Sequence, residues 1–468
     1  MKSKIKTLIH IFLGIWIIFS IGIYSYSLYI QIDYDLTSGN FEEKKQPSTS
    51  TVYHEPYIHI WDNWSATAAA YPWCTGDGSW TNPYTIENVI INATNSPVCD
   101  PLPSSDFSPG ILINSSLHDY FVLKNCTVFT SDPYKDVYGI WLFSANNGTL
   151  IDNDFSNCST GIFLYNAQNS TIIGNIANNN YNAGINMIQS IDCSVSGNFL
   201  YNNHFDGIDL EYCERSTIYG NTIENNGVGI VNDKCNNTII SGNTLKGNSR
   251  GLMAFSSGIS PNYNITVIGN TVEYNNIGLS IYETHNGEIK DNTIQFSNSD
   301  GFYLDKVSNI IISNNTIFSN GYGGYAFGLR IEYSEDCEIS MNTMSNNSND
   351  GMRMDYCSYI KVSNNIVDDN DQGIILYQSD YNNITDNTIR GHAGEGIELT
   401  DSNYNRVTGN TLRNNNGGCI IEKGTCVGNI IENNDCGGQQ PIPGFNLYII
   451  VGLIGIISVI LMRRRFKN

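Results

Sequence analysis

The chain has 468 residues, of which 15% are charged, and a formal net charge of −21 with a pI near 4.6. Such an acidic balance argues against nucleic acid and anionic lipid surfaces as partners and favours a solvated exterior that attracts cations. The 29 tyrosines, against 7 histidines, indicate aromatic side chains on the surface.

Residues 1–30 begin with Lys2, Lys4 and Lys6 and continue into the apolar run Ile11–Ile23. This pattern predicts a signal peptide or an uncleaved signal anchor, because positive charges precede a short apolar stretch. No small-residue A-x-A cleavage signal follows, so both interpretations stay open. The polar residues 31–52 are predicted to be a flexible linker.

Residues 53–125 precede a regular repeat and are predicted to form an N-terminal cap and the first coils. A repeat protein needs its terminal core covered, and this segment is placed to do so. Cys74 and Cys99 flank its first part. Because exported proteins commonly carry disulfides, we expect these two cysteines to be bonded to each other. Cys419, Cys426 and Cys436 suggest a second disulfide at the other end of the repeats.

Residues 126–436 repeat one skeleton, seen in Gly207–Gly229: Gly-Ile-x-Leu, a small residue, then Ile-x-Gly-Asn-x-Ile. A period of mostly 22 or 23 residues predicts a solenoid, either of leucine-rich repeats or of parallel β-helix coils. Short runs of Ile and Val with period two, broken by Gly and Asn, favour the β-helix, with about thirteen coils. The same period is kept by the asparagines Asn153, Asn175, Asn198, Asn221, Asn243, Asn270, Asn292, Asn315, Asn342, Asn365, Asn387, Asn410 and Asn433.

Alternation along a strand predicts which side chains face inward. In Gly-Ile-x-Leu, Ile208 and Leu210 point one way and Asp209 and Glu211 the other. Since the aliphatic pair must be buried, the residues two and four after each repeat glycine form outward columns. The asparagine series is placed at turns, where Asn tolerates left-handed backbone, and stacked amides could form a hydrogen-bonded ladder.

The G-I-x-L…S/C…I-x-G-N skeleton resembles that of the right-handed parallel β-helix repeat proteins, including the NosD-like and the carbohydrate-binding or sugar-hydrolase groups. The resemblance covers residues 82–434, and GDGSWTNPYTIENVIINAT at Gly76–Thr94 resembles the lead-in coil of archaeal NosD-like surface proteins. It implies an all-β, right-handed solenoid. It leaves the function open, because lyases, hydrolases, adhesins and accessory proteins all use this fold.

Three acids in consecutive coils form a candidate site. Asp305, Glu332 and Asp355 all stand four residues after a repeat glycine, so stacking puts neighbours roughly 5 Å apart and alternate members roughly 10 Å apart. These separations suit the paired carboxylates of glycoside hydrolases, and like charges this close could raise a pKa or recruit Ca²⁺. The three are the candidate catalytic residues.

Aromatic and basic side chains accompany these acids. Aromatic faces suit sugar rings, and loops on a rigid scaffold tend to carry binding residues. The alternative is a solvated acidic face whose acids are neutralised by arginines in ion pairs of small energetic value. No C-x-x-C motif and no histidine cluster is present, so no metal cofactor is predicted. The candidate ligand-binding residues are Tyr303, Tyr322, Tyr325, Phe327, Arg330 and Arg353.

The C-terminal end predicts attachment to a membrane. Residues 437–445 form a linker that contains Pro443, Gly444 and Phe445, and residues 446–468 are an apolar segment followed by an arginine cluster. The apolar segment is at the short limit for a membrane span, and the basic cluster should stay cytoplasmic. This order resembles the sorting signal of archaeal surface proteins, which implies processing near Pro443–Phe445 by an archaeosortase-like enzyme. An ordinary membrane anchor is the alternative.

The sequence therefore favours a surface protein tethered to the cell membrane, with an extracellular β-helix that binds glycans or surface proteins without catalysis. The alternatives are a polysaccharide lyase or hydrolase that uses the three acids, and a NosD-like accessory protein. Twelve Asn-x-Ser/Thr sequons are consistent with glycosylation of the outward ones.

Overall fold

The computed structural model describes residues 51–99, 107–256, 261–322 and 324–437. Within these residues no helix is long and apolar enough to cross a membrane. Both apolar terminal segments lie outside the described residues, as do Pro443, Gly444 and Phe445, so their predicted roles stay predictions.

The chain winds as a parallel β-helix, and each coil contributes strands to up to three long sheets. Sheet 1 has fifteen strands: Ile58–Trp61, Ile111–Asn114, Tyr138–Phe143, Thr160–Tyr165, Ala183–Ile188, Asp206–Glu211, Val228–Asp233, Arg250–Phe255, Ile277–Tyr282, Phe302–Asp305, Leu329–Glu332, Asp350–Asp355, Gln372–Tyr377, Glu395–Thr400 and Gly418–Lys423. Sheet 2 has sixteen: Cys74–Thr75, Tyr84–Glu87, Phe121–Lys124, Gly148–Ile151, Thr171–Ile173, Ser194–Ser196, Thr217–Tyr219, Ile239–Ser241, Asn262–Ile268, Thr284–Lys290, Ser308–Ser313, Glu338–Ser340, Lys361–Ser363, Asn383–Thr385, Arg406–Thr408 and Ile430–Glu432.

Sheet 3 has ten strands: Phe199–Tyr201, Thr222–Glu224, Thr244–Lys246, Thr271–Glu273, Thr293–Gln295, Thr316–Phe318, Thr343–Ser345, Ile366–Asp368, Thr388–Arg390 and Thr411–Arg413. A separate sheet near the N-terminal end joins Tyr53–Glu55, Val89–Asn92 and Thr127–Phe129. Among the described residues the helical segments are the α-helix α1 (Trp64–Ala70) and the 3₁₀ turn Ala93–Asn95. The predicted all-β parallel solenoid is confirmed.

The core is a continuous column of aliphatic side chains inside the coils. Ile208 and Leu210 are fully buried, and they pair in parallel register with Ile185 and Met187 of the preceding coil. The predicted direction of the side chains in Gly-Ile-x-Leu is therefore confirmed. Each aliphatic residue stacks on its counterpart one coil away, so burial accumulates along the axis of the helix.

The repeat asparagines form a buried ladder that crosses the coils. The Asn243 Oδ1 atom accepts hydrogen bonds from the backbone N–H and the Nδ2 of Asn221, both at 2.9 Å. Asn243 Nδ2 donates to the Ile218 carbonyl and to Asn270 Oδ1, both at 3.0 Å. This pattern runs from Asn153 to Asn434 and satisfies backbone groups at the turn between sheets 2 and 3.

Two details of the predicted asparagine series were wrong. The last member is Asn434, whose Oδ1 accepts from Asn410 N–H, and Asn433 instead lies in the turn with φ +57°. The left-handed residue is the one before each ladder asparagine, for example Gly220 at φ +62° before Asn221. The ladder asparagines themselves point inward, because buried amides can bond the coils on both sides.

The predicted bond between Cys74 and Cys99 was wrong, since both thiols are free. Cys74 belongs to the core inside the coils, whereas Cys99 packs against a cluster on the outer surface of sheet 1. The wall of the helix therefore separates them. A disulfide instead joins Cys419 to Cys436, with 5.7 Å between their Cα atoms, in the end region where one was expected.

The N-terminal end of the core is closed by α1. The Trp64 ring of this helix is buried, stacks on Tyr84 at 5.2 Å and lies 5.3 Å from the Phe121 ring. Its Nε1 donates to Ser116 Oγ at 2.9 Å, so the polar edge of the indole is satisfied. This helix covers the first coils, as a cap on a solenoid must.

Candidate functional site

The three candidate acids lie in one column of sheet 1. Asp305 pairs in register with Glu332, and Glu332 pairs with Asp355, so their predicted stacking is confirmed. In the next outward column Tyr303 pairs with Arg330, and Arg330 with Arg353. We call Asp305, Glu332 and Asp355 the acid ladder. Their catalytic role stays a prediction.

Most carboxylate oxygens of the acid ladder already have protein partners. Glu332 accepts a hydrogen bond from the Tyr303 hydroxyl at 2.7 Å and pairs with Arg330. Both oxygens of Asp355 accept from Arg353 Nε at 3.0 Å. The Asp305 Oδ1 atom is buried without a hydrogen bond. The ladder is therefore a half-buried network of acids and arginines rather than a row of free carboxylates.

The aromatic loop before Gly328 contributes one ring to this network. The Phe327 ring lies 5.2 Å from the Arg330 guanidinium and 5.8 Å from that of Arg353. Tyr322 and Tyr325 are 76% and 91% exposed, so they project to solvent instead of covering the acids. The structure thus brings together Tyr303, Phe327 and the two arginines, while the two loop tyrosines lie apart from the ladder surface.

Burial raises the pKa of several carboxyls beside the arginines. The pKa of Asp350 is raised to about 7 because the group is buried, and Arg353, whose Nη1 lies 3.4 Å from Asp350 Oδ2, only partly opposes the effect. The pKa values of Asp305 and Asp355 are also raised, chiefly by burial. Such shifts occur in functional sites and in structural ion-pair networks alike.

A concave site lies on the same sheet, closer to the N-terminal end than the acid ladder. This aromatic groove has a volume of about 450 Å³. The Trp141 and Phe163 rings are 5.5 Å apart, and the Tyr138 ring is 5.0 Å from Phe163 and 4.8 Å from Phe107. The groove is lined by Phe107, Tyr138, Trp141, Thr160, Phe163, Tyr165, Asn182, Ala183, Asn186, Ile188, Phe205, Asp206 and Asp209.

Two of the residues that line the groove have a buried polar atom without a protein partner. Trp141 is fully buried, and its Nε1 has no hydrogen-bond acceptor. Asn186 donates from Nδ2 to Asp209 Oδ2 at 2.8 Å, but its buried Oδ1 accepts no hydrogen bond. Buried polar groups are nearly always paired, but both of these atoms are shielded from solvent, so the groove offers its ligand the rings and the carboxyls instead.

Two carboxyls stand at one end of the groove. Burial raises the pKa of Asp206 to about 6. Burial, and then the charges of Asp206, Glu211 and Asp233, raise the pKa of Asp209 to about 7. Near neutral pH these groups can therefore act as hydrogen-bond donors or acceptors.

The sequence analysis missed this groove because it used the column two residues after each repeat glycine only beside the three acids, at Tyr303, Arg330 and Arg353. Closer to the N-terminal end, the same column holds Trp141, Phe163, Asn186 and Asp209 in four consecutive coils. Large aromatic residues at positions that point outward were the available signal, since an exposed apolar patch marks a binding site.

The raised pKa of Asp209 predicts a pH-dependent stability. The native state holds a proton up to about pH 7 that the unfolded chain releases near 3.8, so this contribution is lost as the pH rises through that window. Asp209→Asn should therefore raise the melting temperature at pH 8 and leave it almost unchanged at pH 4. Scanning calorimetry between pH 4 and 8 measures this, with the exposed Glu335→Gln as control. An equal effect at both pH values would contradict the prediction.

The sequence profile of the family described as periplasmic copper-binding protein (NosD) matches residues 75–257 and 324–442. The chain belongs to the NosD family. The profile of the right-handed β-helix region matches residues 257–371 between them, which agrees with the predicted handedness. A search of curated proteins found no match.

Solved structures similar to this NosD-family protein are β-helices that are distant in sequence. A tailspike double mutant of E. coli bacteriophage HK620, in complex with a pentasaccharide, has 12% identity and a TM-score of 0.50 and covers 80% of this chain and 77% of its own. The A-module of the Azotobacter vinelandii mannuronan C-5 epimerase AlgE6 has 13% identity and a TM-score of 0.48, with 81% and 99% covered. At these identities the likeness shows the fold alone.

The family description implies copper, so we tested whether the described residues could hold it. Copper sites in proteins use His, Cys and Met ligands. Cys99 Sγ lies 3.0 Å from His59 Nδ1, and His59 Nε2 lies 3.4 Å from the Pro109 carbonyl oxygen. Across the described ranges, no group of three or more His, Cys, Asp or Glu side chains is arranged to hold a metal ion. The described His and Cys residues are therefore not grouped as a copper site requires, and the prediction of no cofactor, or of Ca²⁺, stays a prediction.

Proposed function

We propose that sheet 1 of this NosD-family protein is a glycan-binding face and that the aromatic groove holds the sugar. The observation that carries the proposal is the combination of a ring-lined groove with the half-buried carboxyls of Asp206 and Asp209 at one end. Ring faces pack against the C–H faces of sugars, and a few fixed polar atoms select their hydroxyls. The pentasaccharide held by the tailspike is a further support, since it comes from a protein of similar fold.

The alternative of a polysaccharide lyase or hydrolase would rest on the acid ladder. Its geometry favours binding over catalysis, because Glu332 and Asp355 are engaged by Arg330 and Arg353. A general acid or nucleophile must instead reach the glycosidic bond with an oxygen free to act. We therefore propose a non-catalytic role for this network.

We further propose that the β-helix stands outside the cell on a membrane tether, as the two terminal segments suggest. The sequons support an exposed sheet 1. Asn114 is the sequon asparagine within a strand of sheet 1, and it is buried. Seven others have left-handed backbone outside sheet 1, where an attached glycan would leave the groove clear: Asn125, Asn147, Asn157, Asn169, Asn264, Asn314 and Asn346.

A glycan array probed with the full chain in detergent tests the proposal. We expect a restricted set of oligosaccharides to bind and Phe163→Ala, which removes one wall of the groove, to abolish most of the signal. Tyr333→Ala is the matched control, because this exposed ring stacks on Tyr356 at 4.8 Å outside the groove. Equal loss of binding in both variants, or no binding by the wild type, would contradict the proposal.

A further inference from the structure

The charge around the aromatic groove is of one sign. Asp206 and Asp209 line it, and none of the thirteen lining residues that the structure describes is Lys, Arg or His. The charged groups that act on Asp209 are all acids: Asp206, Glu211 and Asp233. Lys234 stands near this region, but its ammonium pairs with Asp233 at 3.2 Å and lies over the Tyr212 ring.

We propose that the groove selects uncharged glycans and rejects polyuronates, an inference that rests on the proposed function of this same site. A uronate carboxylate in the groove would be desolvated beside two acids with no lining cation to pair with it. Like charges brought together across an interface are strongly unfavourable, and this is a common way of excluding a wrong ligand.

The two carboxyls of the groove suit hydroxyl groups. Asp206 and Asp209 line the groove and are only half-buried, and when ionised their oxygens can only accept hydrogen bonds. A sugar hydroxyl can donate to them, whereas a uronate carboxylate can accept but cannot donate. A neutral hexose therefore satisfies these acceptors, and a uronate group placed beside them would leave them unpaired.

Titration of the full chain with matched oligosaccharide pairs tests this selectivity. The probes are β-1,4-linked tetramers of glucose, mannose and galactose, each compared with the tetramer of the corresponding uronate at pH 8. We expect the neutral member of any binding pair to bind at least about tenfold more tightly, because two unscreened acids oppose the uronate. Asp206→Asn/Asp209→Asn should raise the uronate affinity toward the neutral one, and Glu335→Gln should leave the ratio unchanged.

The outcomes separate the two proposals. A uronate that binds as tightly as its neutral partner would overturn the selectivity and leave glycan binding standing. A ratio that does not change in the double variant would show that Asp206 and Asp209 are not its cause, which also overturns the inference. Absence of binding in all three pairs would overturn the proposed function together with it.

Discussion

Asn243→Leu should lower the free energy of unfolding by about 2–4 kcal/mol. The replacement is close in shape but removes four buried hydrogen bonds, two accepted by Oδ1 from Asn221 and two donated by Nδ2 to Ile218 and Asn270. The Asn221 backbone N–H would remain buried without its acceptor, and each orphaned group costs about 1–3 kcal/mol. Thermal unfolding, followed by hydrogen exchange of the neighbouring strands, measures the loss.

Asn225→Gly is the matched control for the ladder. Asn225 lies in the preceding coil, four residues after the ladder residue Asn221, but it is exposed, with φ +57°, a backbone that glycine adopts freely. Its replacement should change the stability by no more than about 0.5 kcal/mol. Equal effects of the two substitutions would mean that the buried amides contribute little to holding the coils together.

Gly207→Ala should also destabilise the fold, by about 1–3 kcal/mol or more. A Cβ at this position would lie 2.4 Å from Ile223 Cγ2 and 2.6 Å from the Gly229 carbonyl oxygen. The side chain could shift, but the carbonyl is fixed in the sheet, so the coils would have to separate locally. The melting temperature and the protection of Asp206–Glu211 against hydrogen exchange should both fall.

Gly220→Asn tests whether the loss of stability expected at Gly207 comes from a steric clash of the added Cβ or would follow from replacing any glycine of the repeat. Gly220 has φ +62°, but a Cβ there meets no heavy atom within 4 Å. Asn tolerates left-handed backbone and occupies the equivalent turn position at Asn314 and Asn364. This variant should fold with nearly unchanged stability. A large loss of stability in this variant would contradict the steric explanation for Gly207.

The sequence predicted the fold well because the period fixes it. With a constant coil length, alternation decides that Ile208 is inside and Asp209 outside, and stacking decides that Asp305, Glu332 and Asp355 share a column. The direction of the strands and the asparagine ladder followed from the same rule. A second buried ladder was missed, in which Asn203 N–H donates to Asn226 Oδ1, although its asparagines stand five residues after the first series.

The site was harder to predict because it depends on rotamers and on breaks in the repeat. The sequence places Arg330 beside Glu332, but only the structure shows that the guanidinium binds the carboxylate. The groove at Trp141 needs Phe107, which belongs to a segment outside the regular coils. The Cys74–Cys99 pairing failed because sequence position does not tell which side of the wall a cap residue occupies.

Sheet 1 therefore carries two different surfaces along one face. Near the N-terminal end it presents aromatic rings and two carboxyls with raised pKa values, and no cation is among the described residues that line the groove. Farther along, the acids of the ladder are held by arginines, and the Phe327 ring lies over both guanidinium groups. The first surface has two half-buried carboxyls to offer a ligand, whereas the carboxyls of the second mostly bind its own arginines.

The most direct test is a crystal structure of the protein with a neutral oligosaccharide selected on the array. We predict a sugar ring packed against Phe163 and Phe205, with hydroxyls within hydrogen-bond distance of the Asp206 and Asp209 carboxyls. A sugar bound instead at Asp305, Glu332 and Asp355, with the Arg330 and Arg353 pairs opened, would contradict the account and favour the enzyme.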